Sequence, residues 1–294
     1  MKRGVQIKLI NMNVNGALHL GILTEKGIVD VSESREPGVP KTMMEALRMG
    51  RGEALPKLNK VLKDAESFLP EDTIVYAPVV DDPSKILCVG VNYRAHIEET
   101  RGSFDPAAVP TIFAKFNNSL TAHKGIVRRN RNSKKHDYEA EIAVVIGKRA
   151  AYISPEEAED HIFGYTLAND VSARDLQKAT TQWIPGKTCD TFCPLGPCIV
   201  TADALRYDAM HITGFKNGEQ RQEGWSTDMI NNIPRIVSFL SGCCTLEPGD
   251  VILTGTPSGV ILGRPEGMQD WLQPGDVLTV REDSIGELTV TVRD

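Results

Sequence analysis

Long apolar runs are missing from this chain of 294 residues, and no stretch approaches the length a membrane span needs. The N-terminus, MKRGVQIK, lacks the apolar core of a signal peptide. Excess positive charge is missing too: 33 Lys and Arg against 39 Asp and Glu leave a net charge of −6. That balance speaks against a surface built to grip nucleic acid or an anionic membrane. Cysteine is sparse and unpatterned. Cys88, Cys189, Cys193, Cys198, Cys243 and Cys244 form no CxxC pair and no metal-type Cys/His spacing. Most lie in apolar contexts, so they read as reduced core thiols of a cytoplasmic protein. GxGxxG, the P-loop pattern, HExxH and GxSxG are all absent, which weakens dinucleotide, NTP, zinc-protease and serine-hydrolase readings. At this length the chain can form one large domain, or one large and one small.

What is present centres on Asp137 to Gly147, DYEAEIAVVIG. Asp137, Glu139 and Glu141 stand at every second position, so in a strand they project to one side. Tyr138, Ala140 and Ile142 then face a core, and AVVI continues as a strand buried on both faces. Clustered carboxylates repel one another unless neutralised, and a hard cation with oxygen ligands (Mg²⁺, Mn²⁺ or Ca²⁺) answers that need. An edge strand with a solvated outer face is the alternative.

Residues 1 to about 70 read as a small unit of their own. ALHLGIL and IVDV flank a Glu25-Lys26-Gly27 turn and suggest a hairpin. Two helical patterns follow, TMMEALRM stopped by Gly50 and LPKLNKVLKDAESFL stopped before Pro70. Pro70 to Pro83, rich in Pro and Asp, reads as a linker. Then KILCVG predicts a short buried strand with Gly90 as the turn, and Tyr93 to Arg101 a helical segment. His96 and Glu99, three apart, are neighbours on one face of it. A carboxylate beside an imidazole makes a general base, or simply a solvated pair. RGSFDPAAVP beyond it is a polar loop.

IFAKF is a strand whose Lys115 snorkels to an edge or meets an anion; the edge is the expected outcome. The six basic residues Lys124, Arg128, Arg129, Arg131, Lys134 and Lys135 lack interleaved aromatics and read as a solvated loop. Ser154 to Glu157 is a capping box with Pro at the first helical position. FGYTLAND is a strand ending in Asp170, either a helix cap or a third carboxylate for the same cation. Lys187 and Asp190 form a charge pair in a loop. Asn217-Gly218 is a hairpin turn, and Ser226 begins a helix through Leu240. PGDV occurs twice as a turn feeding a strand. The Gly/Thr-rich loop Thr254 to Gly259 could cradle a carboxylate. Trp225 either lines a pocket or lies at a surface.

NYRAHIEE, DYEAEIAVVIGK, GYTLANDVSARDLQ, GKTCDTFCPLGP and LEPGDVILTGTPSGV, in this order over residues 85–294, resemble the fumarylacetoacetate hydrolase superfamily. The resemblance implies an α+β, mostly β fold: a mixed β-sandwich roll with a small N-terminal α/β domain (1–70), a linker (71–84) and a catalytic domain (85–294), usually as a homodimer. It implies a Mg²⁺ or Mn²⁺ site on Glu139, Glu141 and Asp170, a His96–Glu99 dyad and an active-site Lys187. Lys115, Arg174, Gln177 and Thr256 would position the 2-oxo acid end of the substrate. Phe116 stands where the family typically has a proline after the lysine. The basic stretch around 124–136 departs from the family's usual turn. The activity so implied is hydrolysis of a C–C bond in an acylpyruvate or fumarylpyruvate, with water activated by His96, as in aromatic catabolism. The alternatives are decarboxylation or tautomerisation of oxaloacetate, isomerisation of a 2-hydroxyhepta-2,4-diene-1,7-dioate type compound, cleavage of deoxy-sugar diketo acids, and a non-catalytic metal-binding relative.

Overall fold

The fold is described from a computed structural model for residues 7–100 and 109–294. Arg101 and most of the polar loop RGSFDPAAVP lie outside the described residues. The protein is mixed α+β and dominated by strands, as expected. Its frame is an eleven-stranded sheet whose central path runs Gly27–Asp30, Ala17–Thr24, Lys8–Val14, Cys193–Thr201, Ile162–Asn169, Ala140–Ile146, Val251–Leu253, Ile86–Gly90 and Thr111–Lys115. A five-stranded sheet built from Glu219–Trp225, His211–Lys216, Val277–Glu282, Gly286–Arg293 and Ile126–Arg128 packs beside it. Ala140–Ile146 is central because its Ile and Val side chains can be covered on both faces, and every residue in it is buried. Each fully buried Val or Ile contributes about 1.5–3 kcal/mol, so this strand anchors whatever its ends carry.

The punctuation read from sequence appears where expected. Asn217 and Gly218 both take positive φ, 54° and 80°, the pattern a two-residue hairpin turn requires. Gly50 stops the Met43–Met49 helix, whose Thr42 side chain caps Glu45 N–H. The Ser154–Glu157 capping box is present.

Three stretches differ. The second helix spans Arg51–Lys63 rather than reaching Leu69. Leu69 exchanges two backbone hydrogen bonds of 2.8 Å with Ile28, which draws the end of that segment into extended pairing. The helix expected from Ser226 begins instead at Ile233, after a short turn over Ser226–Asp228. Pro234 would break a helix begun earlier, but in the first turn it is tolerated, and Asn232 caps Arg235 N–H. Pro70–Pro83 is built into the fold: Tyr76 pairs with Met12, and Val79 and Val80 are wholly buried. The N-terminal strands likewise join the main sheet through Leu9, which pairs with Ile199.

His123 links this seam to a pH response. Its Nδ1 accepts the Thr289 N–H at 3.1 Å, and its ring meets Tyr76 edge-on at 4.8 Å, so the neutral ring is the one that fits. Burial, with Lys124 adding to it, pulls its pKa from 6.5 down to about 4. A depressed histidine contributes stability that is complete above the unfolded value and lost as pH falls towards the folded one. His123→Gln should therefore flatten the fall in urea midpoint between pH 6.5 and 4 relative to the parent chain. Parallel curves would show that His123 is not the titrating group.

Candidate active site

The buried strand Ala140–Ile146 and the end of its neighbour Ile162–Asn169 deliver three carboxylates to one spot. Oxygens of Glu139, Glu141 and Asp170 lie within 4.8 Å of one another, and all three residues are buried. Backbone bonds fix their carriers: Asp170 N–H donates to Glu139 O at 2.8 Å, and Glu139 N–H to the Asn169 side chain at 2.9 Å. Gly255 N–H donates to Glu141 Oε2 at 2.6 Å. That approach needs glycine, since Gly255 sits at φ +100° and a Cβ there would come within 2.7 Å of Asn92 Cβ. Thr256 Oγ1 donates to Ala140 O at 2.9 Å. Gln222, from the second sheet, accepts from Ala140 N–H and donates to Thr256 Oγ1 at 2.9 and 2.8 Å. It thereby pins the peptide between the two glutamates.

Cations crowd the same carboxylates. Lys187 Nζ stands 2.6 Å from both Glu139 Oε2 and Asp170 Oδ2. Lys115 Nζ is 2.5 Å from Asp170 Oδ1 and wholly buried, so the edge expected for this lysine is corrected. Its strand is the last of the sheet path, yet the side chain is buried and meets an anion instead. Arg174 approaches Glu139 at 2.7 Å, an ion pair without hydrogen-bond alignment, and donates to Asp137 at 2.8 Å. Asp137 does not join the cluster of the two glutamates and Asp170. The strand breaks after it, and its carboxylate also accepts the N–H groups of Ile261 and Leu262 at 2.8 and 3.0 Å. Lys187 pairs with the carboxylates rather than with Asp190, which accepts from Asn118.

The electrostatics divide the three acids. Burial works to raise Glu139, but Arg174 and Lys187 outweigh it and hold its carboxyl well below the usual range. Among the described residues Glu141 has no cation at contact distance; burial, then the charges of Asp170 and Glu139, push it well above its ordinary value. Burial opposes the charge on Lys187, yet Asp170 and Glu139 raise it above its ordinary value, so it is an ammonium donor. An all-oxygen, buried, under-neutralised triad is a donor set that suits a hard divalent cation.

A cavity of about 270 Å³ opens onto Glu139 and Glu141, while Asp170 is buried beside them and does not line it. His96, Glu139, Glu141, Arg174, Gln177, Lys187 and Thr256 line it, so seven residues singled out in the sequence converge there. Lys115 does not line it and stands behind Asp170. Glu99 is also set back: its oxygens take the Gly259 N–H at 3.1 Å and lie 3.5 Å from His96 Nδ1, which has no hydrogen-bond partner among the described residues. Trp225 is half exposed and stacks on His211 at 4.4 Å, away from the cavity. Phe113, Trp183 and Lys178, which line the cavity, and Gln222 behind it were not found from the sequence. Trp183 carried one signal, its place three residues before Gly186 in the loop that brings Lys187.

Residues 85–293 match the family described as fumarylacetoacetate (FAA) hydrolase, C-terminal. The chain belongs to the fumarylacetoacetate hydrolase family. Among its relatives in this family is the oxaloacetate tautomerase YisK of Bacillus subtilis, 42% identical over 73% of this chain and 71% of that protein. A mitochondrial oxaloacetate tautomerase of Homo sapiens is 36% identical over 91% of this chain and 85% of its own. Among solved structures, a fumarylacetoacetate hydrolase from Exiguobacterium antarcticum superposes with a TM-score of 0.85 at 33% identity, over 98% of this chain and 99% of that one. A probable 2-hydroxyhepta-2,4-diene-1,7-dioate isomerase from Mycobacterium abscessus gives 0.80 at 28% identity, over 99% of both chains. Hydrolase, isomerase and tautomerase names thus surround this fumarylacetoacetate hydrolase family member. Both of these sequence relatives are oxaloacetate tautomerases, whereas His96 and Glu99 read from the sequence as a C–C hydrolase dyad. Among the described residues no helix is long and apolar enough to cross a membrane.

Proposed function

We propose that this chain is a divalent-metal-dependent keto–enol tautomerase of a small 2-oxo diacid of the oxaloacetate type, working as a homodimer with Mg²⁺ or Mn²⁺. The convergence of Glu139, Glu141, Lys187 and Arg174 on one small cavity, with Asp170 clustered against the two glutamates, carries the reading. Similarity to oxaloacetate tautomerases supports it. A cation held by Glu139, Glu141 and Asp170 would supply a Lewis acid for the carboxylate and 2-oxo oxygens of the substrate. Arg174 and Gln177, joined by a 3.0 Å hydrogen bond, form a rigid polar wall that orients the bound acid. His96 takes the proton from C3 and Lys187, an ammonium, donates toward the 2-oxo oxygen where negative charge develops. Reprotonation in the reverse sense returns the keto form. Glu99, engaged by Gly259 and 3.5 Å from His96 Nδ1, sits where it can orient the imidazole.

The deciding assay offers oxaloacetate, acetylpyruvate and fumarylpyruvate side by side to Mg²⁺-loaded protein. Expected is accelerated keto–enol interconversion of oxaloacetate, followed by enol absorbance and abolished by EDTA. Release of pyruvate plus the matching acid from the diketo acids, without that acceleration, would return the protein to C–C hydrolysis. His96→Ala should cost about 10²–10⁴-fold in the interconversion rate at unchanged metal affinity. An undiminished rate would remove His96 from proton transfer.

A further inference from the structure

Among the described residues three permanent cations line the cavity: Arg174, Lys178 and Lys187. Two are committed. Arg174 is held by Asp137 and Glu139, and Lys187 by Glu139 and Asp170. Lys178 differs. It follows the short helix Arg174–Gln177, and its N–H closes the turn onto Arg174 O at 3.1 Å. Lying four residues on from Arg174, it stands on the same side of that turn. Its ammonium pairs with no carboxylate among the described residues, although it lines the cavity. The hydroxyls of Thr100 and Thr180 share that lining, whereas Val89, Phe113 and Trp183 form an apolar wall.

This distribution has a chemical consequence. The end of a substrate that faces the acidic triad is its 2-oxo acid end, because the triad and its cations are arranged there. A second carboxylate at the other end would meet no side-chain donor on Val89 or Phe113, and the cations around the triad are already neutralised. We infer that Lys178 is a specificity-determining residue that pairs with the carboxylate remote from the 2-oxo group, so that the cavity selects dianions over monoanions of the same length. The inference rests on the 2-oxo acid reading of the site, and it goes beyond that reading in assigning the remote end.

Binding separates the two. Malate and 2-hydroxybutanoate share a hydroxy-acid end and differ in carrying a carboxylate or a methyl at the other, and neither undergoes the tautomerisation. Lys178 is exposed at the cavity's edge, so calorimetry on Mn²⁺-loaded wild-type protein should find malate tighter by about two- to fivefold, the range of an exposed ion pair. Lys178→Gln should bring the two ligands to similar affinity by weakening malate alone, and Lys178→Arg should keep the preference. Equal affinities in the wild type, no binding of either acid, or a preference that survives Lys178→Gln would each overturn the inference. Loss of the preference in a protein that fails to interconvert oxaloacetate would retain Lys178 as the diacid selector and overturn only the tautomerase reading.

Discussion

Glu141→Gln is expected to weaken Mn²⁺ binding by about a hundredfold or more while making the metal-free protein more stable. Glutamine keeps the shape and the acceptor that receives Gly255 N–H at 2.6 Å, so the loop Thr254 to Gly259 stays in place. What it removes is one of three anionic oxygen donors, and hard divalent cations depend on that charge count. The stability change runs the other way. Burial and the charges of Asp170 and Glu139 push Glu141 up from 4.5, so its ionised form is disfavoured in the folded chain. A carboxyl raised on folding contributes most below its unfolded value, and the contribution is lost as pH rises through the folded value. In EDTA the wild type should therefore lose stability as pH climbs above 4.5, and the variant should not. Thermal melts with and without Mn²⁺ check both halves. Wild-type metal affinity in the variant would remove Glu141 from the site, and a less stable variant in EDTA would refute the unrelieved repulsion.

Glu139 and Glu141 were legible because their signal is local: charges at alternate positions entering an apolar run. Turns were legible for the same reason, as at Asn217-Gly218 and Gly50, where backbone conformation is set by one or two residues. Lys115 was misread because one lysine in an apolar strand does not say what lies across from it. Its partner Asp170 is 55 residues away and arrives through sheet order alone. Gln222 is a similar case: its contacts with Ala140 and Thr256 span 82 and 34 residues and join two sheets. Asp137 shows the converse, since perfect alternation with Glu139 did not bring it into the carboxylate cluster. The N–H groups of Ile261 and Leu262 and the guanidinium of Arg174 claim it, and the strand breaks to let them. Alternation predicts a face only while the strand is continuous.

Lys187→Met should lower kcat by about 10²–10³-fold, the effect of losing one well-placed donor to developing charge, with KM little changed. Its effect on the metal-free protein is separate and also large. Lys187 Nζ is buried midway between Glu139 and Asp170, 2.6 Å from each. Removing it leaves each carboxylate with one remaining cation, Arg174 for Glu139 and Lys115 for Asp170. Breaking a buried pair from one side costs about 3–5 kcal/mol, or roughly 10 °C in Tm for a chain of this size. Methionine fills nearly the same volume and can rest on Phe113, whose ring lies 5.0 Å from Nζ, so a cavity adds little to that cost. Metal should then rescue the variant more than the wild type. The ammonium pairs with the same carboxylate oxygens that a cation would take, and without it those oxygens are better donors. The expected result is thus a protein with low activity, a depressed melting temperature in EDTA, and Mn²⁺ affinity equal to or above that of the wild type. Wild-type kcat would remove Lys187 from the chemistry. A collapse of Mn²⁺ affinity like that expected for Glu141→Gln would instead make Lys187 a strut that assembles the triad, and the proton donor would have to be sought elsewhere in the cavity.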